Sequence, residues 1–392
     1  MIVMERLKDK NLLIISHKEI WVDKNSPSGY STIGGFPIQI NKLSTVFNKT
    51  LLMCSLRKGP IPNSVTPLYS NNLTVEPLDE PPFNGGLRKL FFLIWFLQHS
   101  KEIFLKIKNW DIIHTLIPGD IGLIGTLIAL SLGKPVFIRH CGTWGNTDTI
   151  FDKFIYWLLK RIASKRNVVM ATGDGDIMPE ETNKYIKWIF SSTITKSEWE
   201  NIFVASSWSK DEVLKVVVVS RLTEKKNVQS LILSFEKILS KIDSRLYIVG
   251  DGVYRSHLEE LSNRLSLNKY VHFYGNCKHS NVMEILSRSH LFIFPTKTKE
   301  GFPKVLLEAM ASGLPCLGSD ISVIPYLIGN KCGKILKEPE PDYITDAVFE
   351  LTSNPKLMRN MSLQARAKSE YYTIDNWCDL ISSRLKKSWS LD

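Results

Sequence analysis

Two glutamates, Glu300 and Glu308, stand with seven residues between them in HLFIFPTKTKEGFPKVLLEAMASGLPCLG, residues 290–318. Carboxylates at that spacing can accept hydrogen bonds from sugar hydroxyls, provided that something between them holds the rest of the ligand. Pro303 suits the start of a helix, where its missing N–H is not needed, and Gly313 followed by Pro315 marks the end. A helix N-terminus presents unpaired N–H groups and a partial positive charge, which favours a phosphate. Gly301, Phe302, Pro303, Lys304 and Val305 are therefore candidates to bind a phosphate-linked ligand. At about 1.5 Å rise per residue, Glu308 lies on the order of 7 Å into the helix, within reach of the same ligand. Val305, Leu306, Leu307, Ala309 and Met310 cover nearly every face, so Glu308 is expected to be buried and to need a cation, ligand donors or water. Spacing alone fits equally a core helix whose acids find water or a lysine.

The elements that must position these acids read as alternating strands and helices. Apolar runs at 215–219, 245–249, 270–274, 290–294 and 315–318 predict a parallel sheet built by right-handed crossovers. Arg221 follows the first run. Lys226 precedes a helix from about Asn227, whose Val228, Leu231, Ile232, Phe235, Ile238 and Leu239 form one apolar stripe. Two cations at the carboxyl edge of a sheet suit a diphosphate, arginine bidentately and lysine as a point charge. Solvated cations of a basic chain are the alternative. Gly250 and Gly252 predict a turn after the second strand.

EGFPKVLLEA, preceded in order by VVVVSRLTEKKN, IVGDG and VHFYG, resembles the retaining glycosyltransferases of the GT-B fold, specifically family 4, which use nucleotide sugars. The likeness runs from about residue 212 to 336 and thins in the N-terminal half. It implies an α/β chain of two Rossmann-like domains facing across a cleft. Residues 1–195 would bind the acceptor, 196–370 the nucleotide sugar, and 371–392 would form a helix crossing back to the first domain. It further implies that Arg221, Lys226 and the helix start at Phe302 to Val305 stabilise the leaving diphosphate. Glu300 would hold sugar hydroxyls, Glu308 the ribose, the backbone around Tyr274 and Gly275 the base, and His140 the donor sugar. No metal or other cofactor is then needed, the nucleotide diphosphate sugar being a substrate. The chain departs from the family at Ser220, where a glycine is usual, and lacks the family's Pro-Asn-Gly segment, which leaves the boundary within 172–214 open. Asp174-Gly175-Asp176 resembles the metal site of the other large glycosyltransferase fold, GT-A, but that fold would not place the later motifs in this order.

In the N-terminal half, Asn11 to Ile15 predicts a strand, followed by a long loop with Gly29, Gly34 and Gly35 and an amphipathic segment from Phe36 to Phe47. Gly34 and Gly35 are candidates to let the backbone approach a phosphate or acceptor; a turn with no ligand is the other reading. Strands are expected at Thr50 to Cys54, Asp111 to His114 and Pro135 to Ile138, with Asn167 to Ala171 closing the sheet. His140 is placed just past a strand end, where ligands gather in α/β sheets, or is a structural histidine, with His114 the competing candidate. Residues 85–110 and 151–166 each carry five basic residues against one acid among Trp, Phe and Leu. Such helices suit a membrane interface, and core packing with solvated basic faces explains the same letters.

At 392 residues, two domains are expected. The charged N-terminus predicts no signal peptide, no apolar run reaches about 18 residues, and six unpatterned cysteines suit a reducing cytoplasm. The net charge of +11 suggests anionic lipid or nucleic acid as partner; no nucleic-acid module is recognisable, so none is expected. The expectation is thus a cytoplasmic retaining glycosyltransferase, peripheral on the inner face of a membrane, acting on a lipid-linked saccharide for a surface polysaccharide. Its alternatives are a noncatalytic nucleotide-sugar-binding protein and a GT-B-like epimerase.

Overall fold

The structure is a computed structural model that describes residues 5–62, 65–81, 85–145, 147–173 and 178–391; for residues 5, 6 and 85–90 it describes the backbone only. The chain divides into two compact units, Met1–Thr193 with Ile374–Asp392, and Ile194–Thr373.

The first unit is built on a sheet of strands β1 (Asn11–Val22), β2 (Tyr30–Ile33), β3 (Lys49–Leu56), β4 (Val65–Pro67), β5 (Leu73–Asp79), β6 (Ile112–Ile117), β7 (Val136–His140), β8 (Asn167–Ala171) and β9 (Ile186–Trp188). Seven of them, β5-β3-β1-β6-β7-β8-β9, are parallel neighbours. Their near-continuous apolar stretches are what a sheet covered on both faces requires. Leu13, Ile15, Met53, Ile113, Ile138 and Val169 are buried on one side of it.

Three expectations change here. The first strand does not stop at Ile15 but shifts register against β3 between Ser16 and Glu19 and runs on to Val22. The expected long loop folds as a hairpin, because Trp21 and Val22 pair antiparallel with Ser31 and Tyr30, and Asp23 closes the turn by accepting from the Ser31 hydroxyl at 2.5 Å. Nor does Asn167–Ala171 close the sheet, since Ile186–Trp188 adds beyond it. The helix Asp120–Ser131 seats unusually close to the sheet: a Cβ on Gly122 would lie 2.2 Å from the Leu116 carbonyl oxygen, and one on Gly125 2.9 Å from Ile15 Cδ1.

The C-terminal helix Ile374–Trp389 belongs to this first unit and buries Trp377, Ile381 and Leu385 in it. Asp375 pairs with Lys42 at 2.5 Å, and the Arg139 guanidinium lies over the Trp377 ring at 4.8 Å.

The second unit holds β10 (Leu214–Val219), β11 (Ser244–Val249), β12 (Val271–Gly275), β13 (Leu291–Phe294), β14 (Cys316–Ser319) and β15 (Gly333–Leu336), all parallel in the order β12-β11-β10-β13-β14-β15. The sixth strand was not expected. Its Gly333 lies against β14 so closely that a Cβ would fall 1.7 Å from the Cys316 carbonyl oxygen. The chain moves outward from β10 through β12 and then returns to β13, so the strand order reverses between β10 and β13. Ligands of doubly wound sheets bind beyond the carboxyl ends of the strands at such a reversal.

Candidate active site

Arg221 and Lys226 follow β10, and Glu300 follows β13, so the reversal point brings the two cations and one of the acids together. Arg221 is exposed and pairs with no acid among the described residues. Lys226 ends a short 3₁₀ turn, Glu224–Lys226, and forms an ion pair with Glu300 beneath the Phe294 ring, 5.6 Å from its centroid. Both side chains are largely buried, at 11% and 19% exposure, so removing either one would leave the other as an unpaired, largely buried charge. The Lys297 N–H donates to the Lys225 carbonyl at 2.8 Å, and the Ser322 hydroxyl to the Glu300 carbonyl at 2.7 Å. The acidic loop is thereby tied to the cationic turn.

Pro303 caps the helix Lys304–Ala311 without a side-chain bond to its first amides, and Gly301 and Phe302 lead into it half-buried. Val305 and Lys304 form its half-buried first turn, and Gly313 ends it at φ +71°. Leu306 to Ala311 are all buried, including Glu308. Its partner was not anticipated: His279, at the start of the helix His279–Ser287, lies with Nε2 3.2 Å from Glu308 Oε1. The bond to Glu308 raises the His279 pKa above its ordinary value, against the opposing effect of burial. An acid on an apolar helix signalled the need for such a partner, but nothing in the spacing pointed to a residue 29 positions earlier.

Gly250 follows β11 at φ +129°, and a Cβ there would fall 1.9 Å from the Ser220 carbonyl oxygen. The turn is glycine because the strand end before Arg221 passes directly against it. Gly250 also donates its N–H to the Gly275 carbonyl at 2.8 Å, linking the ends of β11 and β12. Tyr274, half-exposed, sets its ring edge-on to Tyr247 at 5.9 Å.

In the first unit, His140 is the last residue of β7 rather than a residue past its end, and its carbonyl accepts from the Thr172 N–H and hydroxyl at 3.0 Å each. The imidazole stands edge-on to Trp144, and burial pushes its pKa down to about 4, so it is neutral at neutral pH. His114, the competing candidate, is fully buried in β6, stacked on Phe137 and bonded to that residue's carbonyl at 2.8 Å; burial holds its pKa near 3. It is a core residue. Gly34 sits at φ +77° with open space where a Cβ would point, and Gly35 caps the helix Phe36–Ser44, which ends three residues before Phe47.

The basic aromatic segments are the helices Gly85–Asn109 and Ile150–Ile162, and the second ends before Lys165 and Arg166 because Ala163 is extended. No helix among the described residues is long and apolar enough to cross a membrane. All six cysteines are free, four of them buried and Cys141 exposed. Asp174, Gly175 and Asp176 lie outside the described residues.

Residues 200–368, which carry the cation pair and both glutamates, match the profile "Glycosyl transferases group 1". The matched segment lies within the second unit, covers less than half of the chain and is similar to the group 1 glycosyl transferases. Among curated proteins the chain is similar to the N-acetyl-alpha-D-glucosaminyl L-malate synthase of Bacillus anthracis, 34% identical over 152 residues, 38% of this chain and 39% of that protein. It is also similar to the GDP-mannose-dependent monoacylated alpha-(1-6)-phosphatidylinositol monomannoside mannosyltransferase of Corynebacterium glutamicum, 28% identical over 38% of this chain and 41% of that one. The chain thus spans about two fifths of the length of these curated relatives. The chain superposes on Anabaena HepE, solved in complex with UDP and glucose, at a TM-score of 0.67 and 15% identity, covering 96% of this chain and 99% of that one. The fold is GT-B.

Proposed function

We propose that the protein is a retaining glycosyltransferase that moves a sugar from a nucleotide diphosphate sugar to a lipid-linked saccharide acceptor, in the assembly of a surface polysaccharide or glycolipid. The observation that carries this reading is the gathering of Arg221, Lys226, Glu300 and the start of the helix Lys304–Ala311 at the reversal point of the second sheet. Arg221, Lys226 and the amides from Phe302 to Val305 stabilise the negative charge that develops on the leaving diphosphate, a task for preorganised cations and dipoles that needs no metal. Glu300 holds sugar hydroxyls beside Lys226. Glu308, oriented by His279, accepts from the ribose, and the backbone at Gly250, Tyr274 and Gly275 borders the base. His140 supplies a neutral imidazole to hydrogen-bond a sugar hydroxyl, and the Gly34–Gly35 turn serves the acceptor.

With attack on the face the diphosphate leaves, a phosphate oxygen takes the acceptor proton and the anomeric configuration is kept. Similarity to the group 1 glycosyl transferases and the lipid acceptor named for the Corynebacterium relative support this reading. The exposed basic and apolar helices of the first unit support peripheral binding to an anionic cytoplasmic membrane face.

The test is product analysis. Purified protein is incubated with nucleotide sugars and a lipid-linked saccharide fraction, and the anomeric configuration of the product is read by NMR. Transfer with retention supports the proposal; inversion contradicts the mechanism, and an altered nucleotide sugar formed without acceptor makes the protein an epimerase.

A further inference from the structure

The amides from Phe302 to Val305 can gather on a diphosphate only if the loop that leads into them keeps one shape. Glu300 to Pro303 belong to no helix or strand, one of the four is a glycine, and no side chain caps the helix that follows. Such a segment is ordered by its neighbours rather than by its own hydrogen bonds. Besides the Lys226–Glu300 ion pair, two supports reach it, and both start from one short segment between β14 and β15.

The first support is Ser322, whose hydroxyl donates to the Glu300 carbonyl at 2.7 Å. Ser322 stands at φ +54°, a left-handed conformation that suits glycine better than serine. Backbone held in that region is fixed by its surroundings, and such positions gather at ligand sites. The second support is aromatic. The Phe302 ring packs on Tyr372 at 5.8 Å, tilted by 55°, and Tyr371 meets Tyr372 edge-on at 5.1 Å. Tyr372 is buried, at 2% exposure, yet it carries a hydroxyl. A ring that served packing alone would need none; here it is hydrogen-bonded to the side chain of Tyr326, in the helix Ile324–Ile328 just after Ser322. Tyr326 is fixed in turn by Lys368, whose ammonium donates to its carbonyl at 2.6 Å and lies 5.5 Å from its ring centroid. The loop is thus held at Glu300 through its backbone and at Phe302 through its side chain.

We propose that Ser322 and Tyr372 are positioning residues of the donor site, holding Glu300 to Pro303 in the shape that brings the amides of Phe302, Lys304 and Val305 onto a diphosphate. The inference rests on the diphosphate reading proposed above and adds the residues that preorganise it. Neither side chain needs to touch the donor.

The test uses the full chain with 4-fluorophenylalanine at position 302, so that fluorine NMR reports the loop without ligand, and calorimetry with inorganic pyrophosphate, UDP and GDP. In Ser322→Gly and Tyr372→Leu the fluorine resonance should move towards its position in the unfolded protein. Affinity for the nucleoside diphosphate that the parent binds should fall about tenfold in both. Ser322→Gly should melt within about 3 °C of the parent, because glycine relaxes the left-handed backbone as the hydroxyl is lost, so its weaker binding is not a loss of folding. Tyr372→Phe, which keeps the ring, should restore most of what Tyr372→Leu loses. A resonance unmoved in Ser322→Gly and Tyr372→Leu overturns the inference, as does one that moves while nucleoside diphosphate affinity stays at the parent value. If the parent binds no diphosphate and the resonance still moves, the support of the loop is upheld while the donor reading fails.

Discussion

Lys226 and Glu300, 74 residues apart in sequence, form an ion pair that joins the turn after β10 to the loop after β13. The pair unites the cation proposed for the diphosphate with the carboxylate proposed for the sugar, so each would add the proposed chemical role to its structural one. Lys226→Met should lower kcat by about 10²-fold, the loss typical for one transition-state donor. It should also cost about 1–3 kcal/mol of stability by leaving Glu300 unpaired. The swap Lys226→Glu with Glu300→Lys should recover stability in denaturant unfolding but not turnover; recovery of both would show that the residues act only as a tether.

His279 gives the second unit a pH dependence of definite sign. Its pKa is raised in the folded protein by the bond to Glu308, so the pair's contribution is complete below the unfolded value of about 6.5 and is lost as pH rises through the raised folded value. Melting temperatures of the parent and His279→Gln should therefore differ most at the acid end of pH 5.5–8.5 and converge at the alkaline end. Convergence at the acid end would contradict the pairing.

His140 and His114 act in the opposite sense. Their folded values near 4 and 3 lie below the unfolded one, so the stability they contribute is present above about pH 6.5 and is lost as pH falls toward those values. Each can add up to about 1.4 kcal/mol per pH unit to the acid limb. His140→Gln should make that limb shallower by one proton in a stability profile from pH 4 to 7.

Gly250→Ala should be severe. A Cβ 1.9 Å from the Ser220 carbonyl oxygen, on a residue at φ +129°, forces β10 and β11 apart just before Arg221. A loss of about 3 kcal/mol or more in chemical denaturation, with weakened nucleotide binding, is expected. Gly34→Ala meets no neighbouring atom and should cost only the strain of its left-handed backbone, about 1 kcal/mol.

The second sheet was legible because buried parallel strands write themselves as unbroken apolar runs such as Val216–Val219 and Leu291–Phe294, each followed by its polar or charged loop. The helix after Glu300 was legible for the same reason, with Pro303 and Gly313 marking its ends. Of the strands that escaped, β2, β4, β9 and β15 are three or four residues long, and Pro67 lies within β4, so local propensity says little of them; β5 is seven residues long, but Glu76 and Pro77 interrupt its apolar run. The extension of β1 through Glu19 and Trp21 depends on its antiparallel pairing with β2, a contact invisible to a strand read by itself.

The site divides in the same way. Arg221, Lys226, Glu300 and Glu308 carry their chemistry in residue type and in position relative to a strand or helix end, which sequence displays. His279 is joined to Glu308 only through the packing of two helices. Arg139 and His140 were displaced in the reading because β7 continues through them, with Arg139 turned into the interior to reach Gln39 at 2.8 Å.

The most direct test of the central claim is thermal stabilisation of the purified protein by a panel of nucleotides and nucleotide sugars, repeated with Glu308→Ala and Arg221→Ala. The account predicts a shift with one nucleotide diphosphate sugar, about 2.7 kcal/mol of stabilisation at a hundred times its Kd, that both substitutions abolish. No shift with any nucleotide at millimolar concentration, or one that both substitutions leave unchanged, would contradict a donor site at the reversal point of the second sheet.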